Sequence, residues 1–326
     1  MSNLYQTLFN EDNDNHSCSD VSMEIINQLY GHMDLDALSK YYDLSSYNNI
    51  TSPQDESQIR IIHMNSRSLL KNSDNILSFL HSLHHTPDIL AFTETWLTDS
   101  NKHLHEITGY HSHHLIRQAR GHGGVSIFVS DRLNSTQQND LTFVNENIEI
   151  NTIKVTSNTL NFLLCAIYRP NSKHIAVDEF TDIMNTLLQN KAKSNKIILI
   201  GDFNINLLEH STHIPTSNFL AGIQALNFVP HIARPTRFPD SINLGEPSLL
   251  DHIYTNFSKL FTSGIIHYPI SDHLPIFLNI SVPRENNKLH KIVFRHRTQE
   301  QKQLFSSKLS SIAWNDLLSS QNININ

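Results

Sequence analysis

Sulfur is scarce in this chain: 326 residues include two cysteines, Cys18 and Cys165. They stand far apart, and Cys165 falls inside an apolar run, which argues against a disulfide framework and against a thiolate zinc site. Long hydrophobic runs are missing too. No stretch approaches the roughly 18 apolar residues of a membrane-spanning helix. The start MSNLYQTLFNEDNDN lacks the basic and apolar regions of a secretory signal. An intracellular protein with no membrane partner is expected. The basic residues are too dispersed to make a nuclear import signal, and no internal repeat is evident.

What is present is unevenly spread. The formal charge is -7 at pH 7, yet residues 1–57 hold ten acids against Lys40, a local balance of -9 that leaves +2 for residues 58–326. Residues 1–57 are rich in Asp, Asn and Ser, carry tyrosines at 41, 42 and 47, and read as an acidic, partly disordered leader with one short helix near Val21–Tyr30. Residues 284–326 are polar and basic, with an amphipathic segment at Leu304–Leu318. The basic residues there suit either phosphate contact or a solvated helix face. The 21 histidines are scattered through Asn- and Ser-rich sequence, including His111, His113 and His114, and read as titratable loop residues rather than a metal site.

Between these ends, residues 58–283 alternate strand and helix signals. Ile76, Leu77, Leu80 and Leu83 recur at helical spacing, as do Val177, Phe180, Met184 and Leu187. Gly123-Gly124 opens the apolar run VSIFV, and Ile148–Val155 and Leu160–Ile167 read as antiparallel strands. The pattern predicts two packed mixed sheets flanked by helices.

Chemistry gathers where apolar runs end. Ile197–Asn204 reads IILIGDFN, and strand alternation would turn Asp202 and Asn204 to one face. Other runs deliver Asn65, Glu94 and Tyr168, while Asp272 and His273 precede Leu274–Ile280. One such end is usually a plain turn; several carrying Asn, Glu, Tyr, Asp and His suggest one site.

From about residue 58 to residue 282, the phrases HMNSRSL, PDILAFTETWL, GHGGVSIFV, YRPN, IILIGDFN, PTRF, LLDHIYTN and SDHLPI resemble the endonuclease/exonuclease/phosphatase superfamily. They are most similar to the endonuclease domain of non-LTR (LINE-type) retrotransposons. The resemblance implies a DNase I-like, four-layer α/β sandwich and hydrolysis of phosphodiesters with Mg²⁺, or Mn²⁺, as cofactor. By motif position it implies Glu94 as the carboxylate ligand of the metal, with Asn65 and Asp272 as further ligands. Asp202 would deprotonate the water, Asn204 and Tyr168 would hold the phosphate, and His273 would donate to it under the orientation of Asp251.

The resemblance further implies double-stranded DNA as partner, with Asn171, Arg234, Thr236 and Arg237 toward the groove. It makes residues 284–326 a linker toward a reverse transcriptase or element RNA, and nuclear action would follow from such a role. One departure stands out: Arg67 occupies a position where apurinic-type enzymes carry a carboxylate. That argues against a second tightly held metal, and leaves Arg67 either gripping phosphate or lying on the surface. Two other functions stay open. One is a phosphatase or phosphodiesterase of a small or lipid phosphoester; the other is a silent remnant that binds nucleic acid without cutting.

Overall fold

The computed structural model describes residues 39–51, 58–117, 122–170, 176–239, 245–282 and 299–312. The chain divides into two compact units, Met1–Arg284 and Glu285–Asn326. In the first, the chain runs β1 (Lys40–Tyr42), α1 (Leu44–Ile50), β2 (Gln58–Asn65), α2 (Ser73–Ser82), β3 (Ile89–Thr93), β4 (Tyr110–Leu115), β5 (Val125–Ser130), β6 (Asn134–Gln137) and β7 (Phe143–Val144). It continues β8 (Glu149–Thr156), β9 (Asn161–Tyr168), α3 (Val177–Leu188), α4 (Lys191–Ser194), β10 (Ile197–Asp202), α5 (Ile214–Ala225), β11 (Val229–Pro230), β12 (Asp251–Thr255), β13 (Phe261–Ile266) and β14 (Ile276–Ser281). In the second, α6 (Gln299–Ser310) leaves Leu304 and Phe305 exposed.

Two mixed sheets form. One has strand order β1-β13-β14-β2-β3-β5-β4; the other has β11-β12-β10-β9-β8-β6, with β7 beside β8. Alternation along β2 explains how the first sheet is used. Ile59 and Ile61 point into the core shared with the second sheet, while Ile62 and Met64 point the other way, toward Ile76 and Phe79 of α2 and Tyr47 of α1. The second sheet packs β10 against β2 and β3. Phe180 of α3 and Phe219 of α5 belong to its core, with ring centroids 5.8 Å apart. The predicted four-layer α/β sandwich is therefore the observed fold.

The expected leader needs correction. Residues 39–51 belong to the domain: β1 pairs in parallel with β13, and α1 is capped by Asp43, whose carboxylate accepts from Ser46 N at 2.6 Å. The tyrosines supply the reason. Tyr47 is fully buried with its ring 4.8 Å from that of Phe277, and Tyr41 donates to the Pro235 carbonyl at 3.0 Å. The helix expected near Val21–Tyr30 lies outside the described residues.

Candidate active site

The second sheet sets a row of polar residues at its strand ends. Register pairs Glu149 of β8 with Tyr168 of β9, Tyr168 with Asp202 of β10, and Asp202 with Asp251 of β12. These four therefore stand side by side at successive strand spacings of about 4.8 Å. Close strand approach is part of the design. Gly201 has φ +148°, and a Cβ there would lie 1.9 Å from the Ile167 carbonyl oxygen, so the residue before Asp202 must be glycine.

The first sheet meets this row through Asn65, at the end of β2. Its Nδ2 donates to Asp202 Oδ2 at 2.8 Å and to Glu94 Oε1 at 2.9 Å, so one amide ties carboxylates from both sheets. Glu94 arrives just after β3 in a left-handed conformation, φ +51°, and Arg67 follows β2 at φ +39°. Asn204 departs from the sequence expectation in its route. Strand β10 ends at Asp202, and Asn204 turns at φ +48° to donate its side-chain amide to the Arg169 carbonyl at 2.7 Å. Asp202 and Asn204 still face one pocket, but a turn rather than strand alternation brings them there.

That pocket encloses about 390 Å³ and is lined by Arg67, Glu94, Arg117, His122, Tyr168, Pro170, Asp202, Asn204, Arg237 and His273. Behind it, His273 Nδ1 lies 2.8 Å from Asp251 Oδ2. Burial opposes the charged imidazole, yet the carboxylates of Asp251 and Asp202 prevail and raise His273 to about 9. Burial also raises Asp202, to about 7, with Asp251 and Glu94 adding to the shift and His273 opposing it. Asp251 moves the other way. Burial would raise it, but the His273 charge and hydrogen bond hold it below its ordinary value. For Tyr168 burial is again the main cause, and the hydroxyl keeps its proton well above the ordinary range.

The structure redistributes some expected roles. Asp272 ion-pairs with Arg67 Nη1 at 3.0 Å and accepts from Arg237 Nε at 2.8 Å, so its two oxygens hold two arginines instead of facing Glu94 and Asn65. Thr236, expected in the groove, is fully buried. Its hydroxyl donates to Asp251 Oδ2 at 2.7 Å from inside the fold, so its side chain is not presented to a groove. Arg234 lies over the Tyr41 ring, 5.9 Å from its centroid, and is not part of the pocket lining. Asn171 lies outside the described residues.

His63, Glu149 and Arg117 escaped the sequence reading. His63, in the middle of β2, is fully buried with Nδ1 3.7 Å from Asp251 Oδ1, and burial lowers it to about 4. Glu149, fully buried, ion-pairs with Arg117, and burial raises it to about 7 despite that partner. The available signal was His63 directly after Ile61-Ile62 and Glu149 between Ile148 and Ile150, titratable residues set among apolar ones.

Among the described residues, Asp202, Asp251 and His273 present ligand atoms within 4.8 Å of one another, a group able to hold a metal ion. The profile of the Endonuclease/Exonuclease/phosphatase family matches residues 62–273. The chain belongs to this family. Members of the Endonuclease/Exonuclease/phosphatase family are hydrolytic phosphoesterases.

Several solved structures share its fold. The endonuclease domain of TRAS1, a telomere-specific non-LTR retrotransposon, is 14% identical, with a TM-score of 0.53 over 68% of this chain and 97% of that one. The AP endonuclease LMAP from Leishmania major is 14% identical, with a TM-score of 0.57 over 81% of this chain and 99% of that one. The catalytic domain of Xenopus laevis APE2 is 15% identical, with a TM-score of 0.53 over 69% and 92%. No curated protein matches the chain.

Proposed function

We propose that this family member is a divalent-metal-dependent endonuclease that nicks one strand of duplex DNA and leaves a 3′-hydroxyl able to prime reverse transcription, as in non-LTR retrotransposition. One observation carries the reading: Asn65 bridges Glu94 and Asp202 in a pocket whose wall also holds Tyr168, Arg67, Arg237 and His273. A carboxylate raised to about 7 beside an imidazole raised to about 9 makes a base and a donor that coexist near neutral pH.

The donor set suits a hard cation held by Glu94 with help from the Asn65 amide oxygen, as Mg²⁺ or Mn²⁺ prefers oxygen ligands with water and phosphate completing the shell. His273 fits that role less well, because its Nδ1 is turned to Asp251 and a protonated ring has no lone pair to offer. When bound, the metal would neutralise charge on the phosphate oxygens. The protein residues divide the remaining work. Asp202 takes the proton of the attacking water, and the Asn65 amide keeps its carboxylate aimed into the pocket. His273 donates to a phosphate oxygen while Asp251 and Thr236 fix the ring. Tyr168 donates a hydrogen bond to the phosphate and keeps its proton, and the O3′ released as the P–O3′ bond breaks takes a proton from water. Arg67 and Arg237, steadied by Asp272, grip the flanking backbone. A reverse transcriptase domain or element RNA would be the natural further partner.

The test is conversion of supercoiled plasmid to open circle with Mg²⁺, beside EDTA and Asp202→Ala. Metal-dependent nicking that falls by about 10²–10⁴ in Asp202→Ala is expected for loss of a general base. Absence of nicking by folded wild-type protein, with turnover of a small phosphomonoester instead, would move the assignment to a phosphatase. Duplex binding without any hydrolysis would make the protein a silent remnant.

A further inference from the structure

The Gly123-Gly124 pair has a purpose that the proposed chemistry does not use. A Cβ on Gly123 would lie 2.5 Å from Glu149 Oε1 and 2.9 Å from Arg117 Nε, and one on Gly124 would lie 2.5 Å from Thr95 Oγ1. The bare backbone therefore makes room for a buried ion pair. Gly124 N donates to Glu149 Oε2 at 2.6 Å, while Glu149 Oε1 faces the Arg117 guanidinium. The same loop is tied to the metal-side turn, since Trp96 N donates to the Gly123 carbonyl at 2.8 Å.

Arg117 is not spent by this pairing. Its side chain is 10% exposed, it lines the pocket, and its Nη2 is buried without a hydrogen-bond partner among the described residues. Its guanidinium carbon stands 5.8 Å from the centroid of the Tyr168 ring. Tyr168 separates Glu149 from Asp202 in the row of strand ends, so Arg117 sits one strand beyond the reacting groups. A guanidinium on the pocket wall, with an unpartnered N–H group just beneath the surface, brings a positive charge suited to a phosphate oxygen.

We propose that Arg117, braced by Glu149 and admitted by Gly123, is a second phosphate-binding subsite that holds the backbone phosphate next to the one being cut. This rests on the reading of the chain as a DNA nuclease and gives it a substrate preference, for a phosphodiester chain over an isolated phosphate. Arg67 and Arg237 grip through Asp272; Arg117 grips through Glu149, from the Tyr168 side.

Arg117→Ala alone would open a hole beside Glu149 and change its protonation, so the deciding variant is the neutral, near-isosteric pair Arg117→Met with Glu149→Gln, beside Arg117→Lys. Full-length protein is titrated with a short labelled DNA duplex in EDTA by fluorescence anisotropy across a salt series, with circular dichroism to verify the fold. The neutral pair should bind about tenfold more weakly, with the slope of log affinity against log salt smaller by less than about 0.9, because Glu149 already offsets part of the Arg117 charge. Arg117→Lys should keep the slope and lose part of the affinity.

A folded neutral pair with wild-type slope and affinity would overturn the subsite and leave Arg117 a counter-ion for Glu149. Wild-type protein that binds no duplex would overturn it as well. Wild-type protein that binds duplex with the expected change in slope, yet never nicks plasmid, would support the subsite while sinking the nuclease reading.

Discussion

The two sheets furnish the pocket by different means. The second sheet presents Glu149, Tyr168, Asp202 and Asp251 from within paired strands, each fixed by ladder hydrogen bonds on both sides or by a neighbour in register. The first delivers Arg67 and Glu94 from turns just past its strands, at φ +39° and +51°, where a side chain costs of order 1 kcal/mol or more. The buried carboxyls of Glu149, Asp202 and Asp251 therefore sit on the rigid frame. Arg67 and Glu94 sit on strained turns held by contacts such as the Ser68 N to Glu94 carbonyl bond at 2.8 Å.

This division is easiest to break at Gly201. Gly201→Ala should cost more than about 4 kcal/mol, because its Cβ would collide with backbone and not with a side chain that can move. Loss of soluble protein or of the cooperative thermal transition would verify it, and a well-folded variant would show that β9 and β10 can part.

The next effect is a pH dependence seated on Asp202 of the frame and on His273, which precedes β14 of the first sheet. His273 is raised from 6.5 to about 9, so its contribution to stability is complete below about 6.5 and is lost as pH rises through about 9. Asp202 is raised from 3.8 to about 7; its burial therefore weighs against the folded state as pH climbs through about 7. Apo-protein melting temperatures should fall from mildly acidic to alkaline pH, and His273→Gln should remove the part of that fall between about 6.5 and about 9. Nicking should rise as Asp202 loses its proton and decline at alkaline pH as His273 loses its own, a bell that a flat profile would refute.

Thr236→Val should cost about 1–3 kcal/mol, read by urea denaturation. It deletes the donor to Asp251 Oδ2 and leaves the Leu250 and Asp251 amides, now bonded to the hydroxyl at 3.2 and 3.0 Å, without an acceptor. The smallest effect distinguishes the turns from the frame. Glu94→Gly should be more stable than Glu94→Ala by about 1 kcal/mol, since both lose the Asn65 hydrogen bond and glycine alone accepts the positive φ, while nicking is lost with the carboxylate in both. A Glu94→Gly no more stable than Glu94→Ala would mean that the turn is not strained.

Legibility in the sequence followed the same division. Asn65, Glu94, Tyr168 and Asp202 end or directly follow apolar runs, and a run of β-branched and aromatic residues announces a buried strand whatever surrounds it. Which partners those residues meet is a matter of pairing across the chain. Arg117 and Glu149 are joined only when β5 and β8 pack together, and Arg117 reads locally as one more polar residue after a strand. Thr236 belongs to a Pro-rich stretch that looks like a surface loop, yet its hydroxyl is the keystone between two backbone amides and Asp251. The left-handed Asn204 was equally hidden, since alternation gave the right side of the chain for the wrong reason.

The parallel pairing of β1 with β13 bears on where this polypeptide can be trimmed. Strand β1 covers one margin of the first sheet, and Gly264 of β13 is so closely overlaid that a Cβ there would lie 2.5 Å from the Tyr42 ring. A polypeptide begun at residue 58 would bare the backbone N–H and C=O groups of β13 together with the apolar surface left by Tyr47. An open margin of that kind recruits strands from other molecules. Truncation there would first be felt as self-association, at a distance from any cutting chemistry.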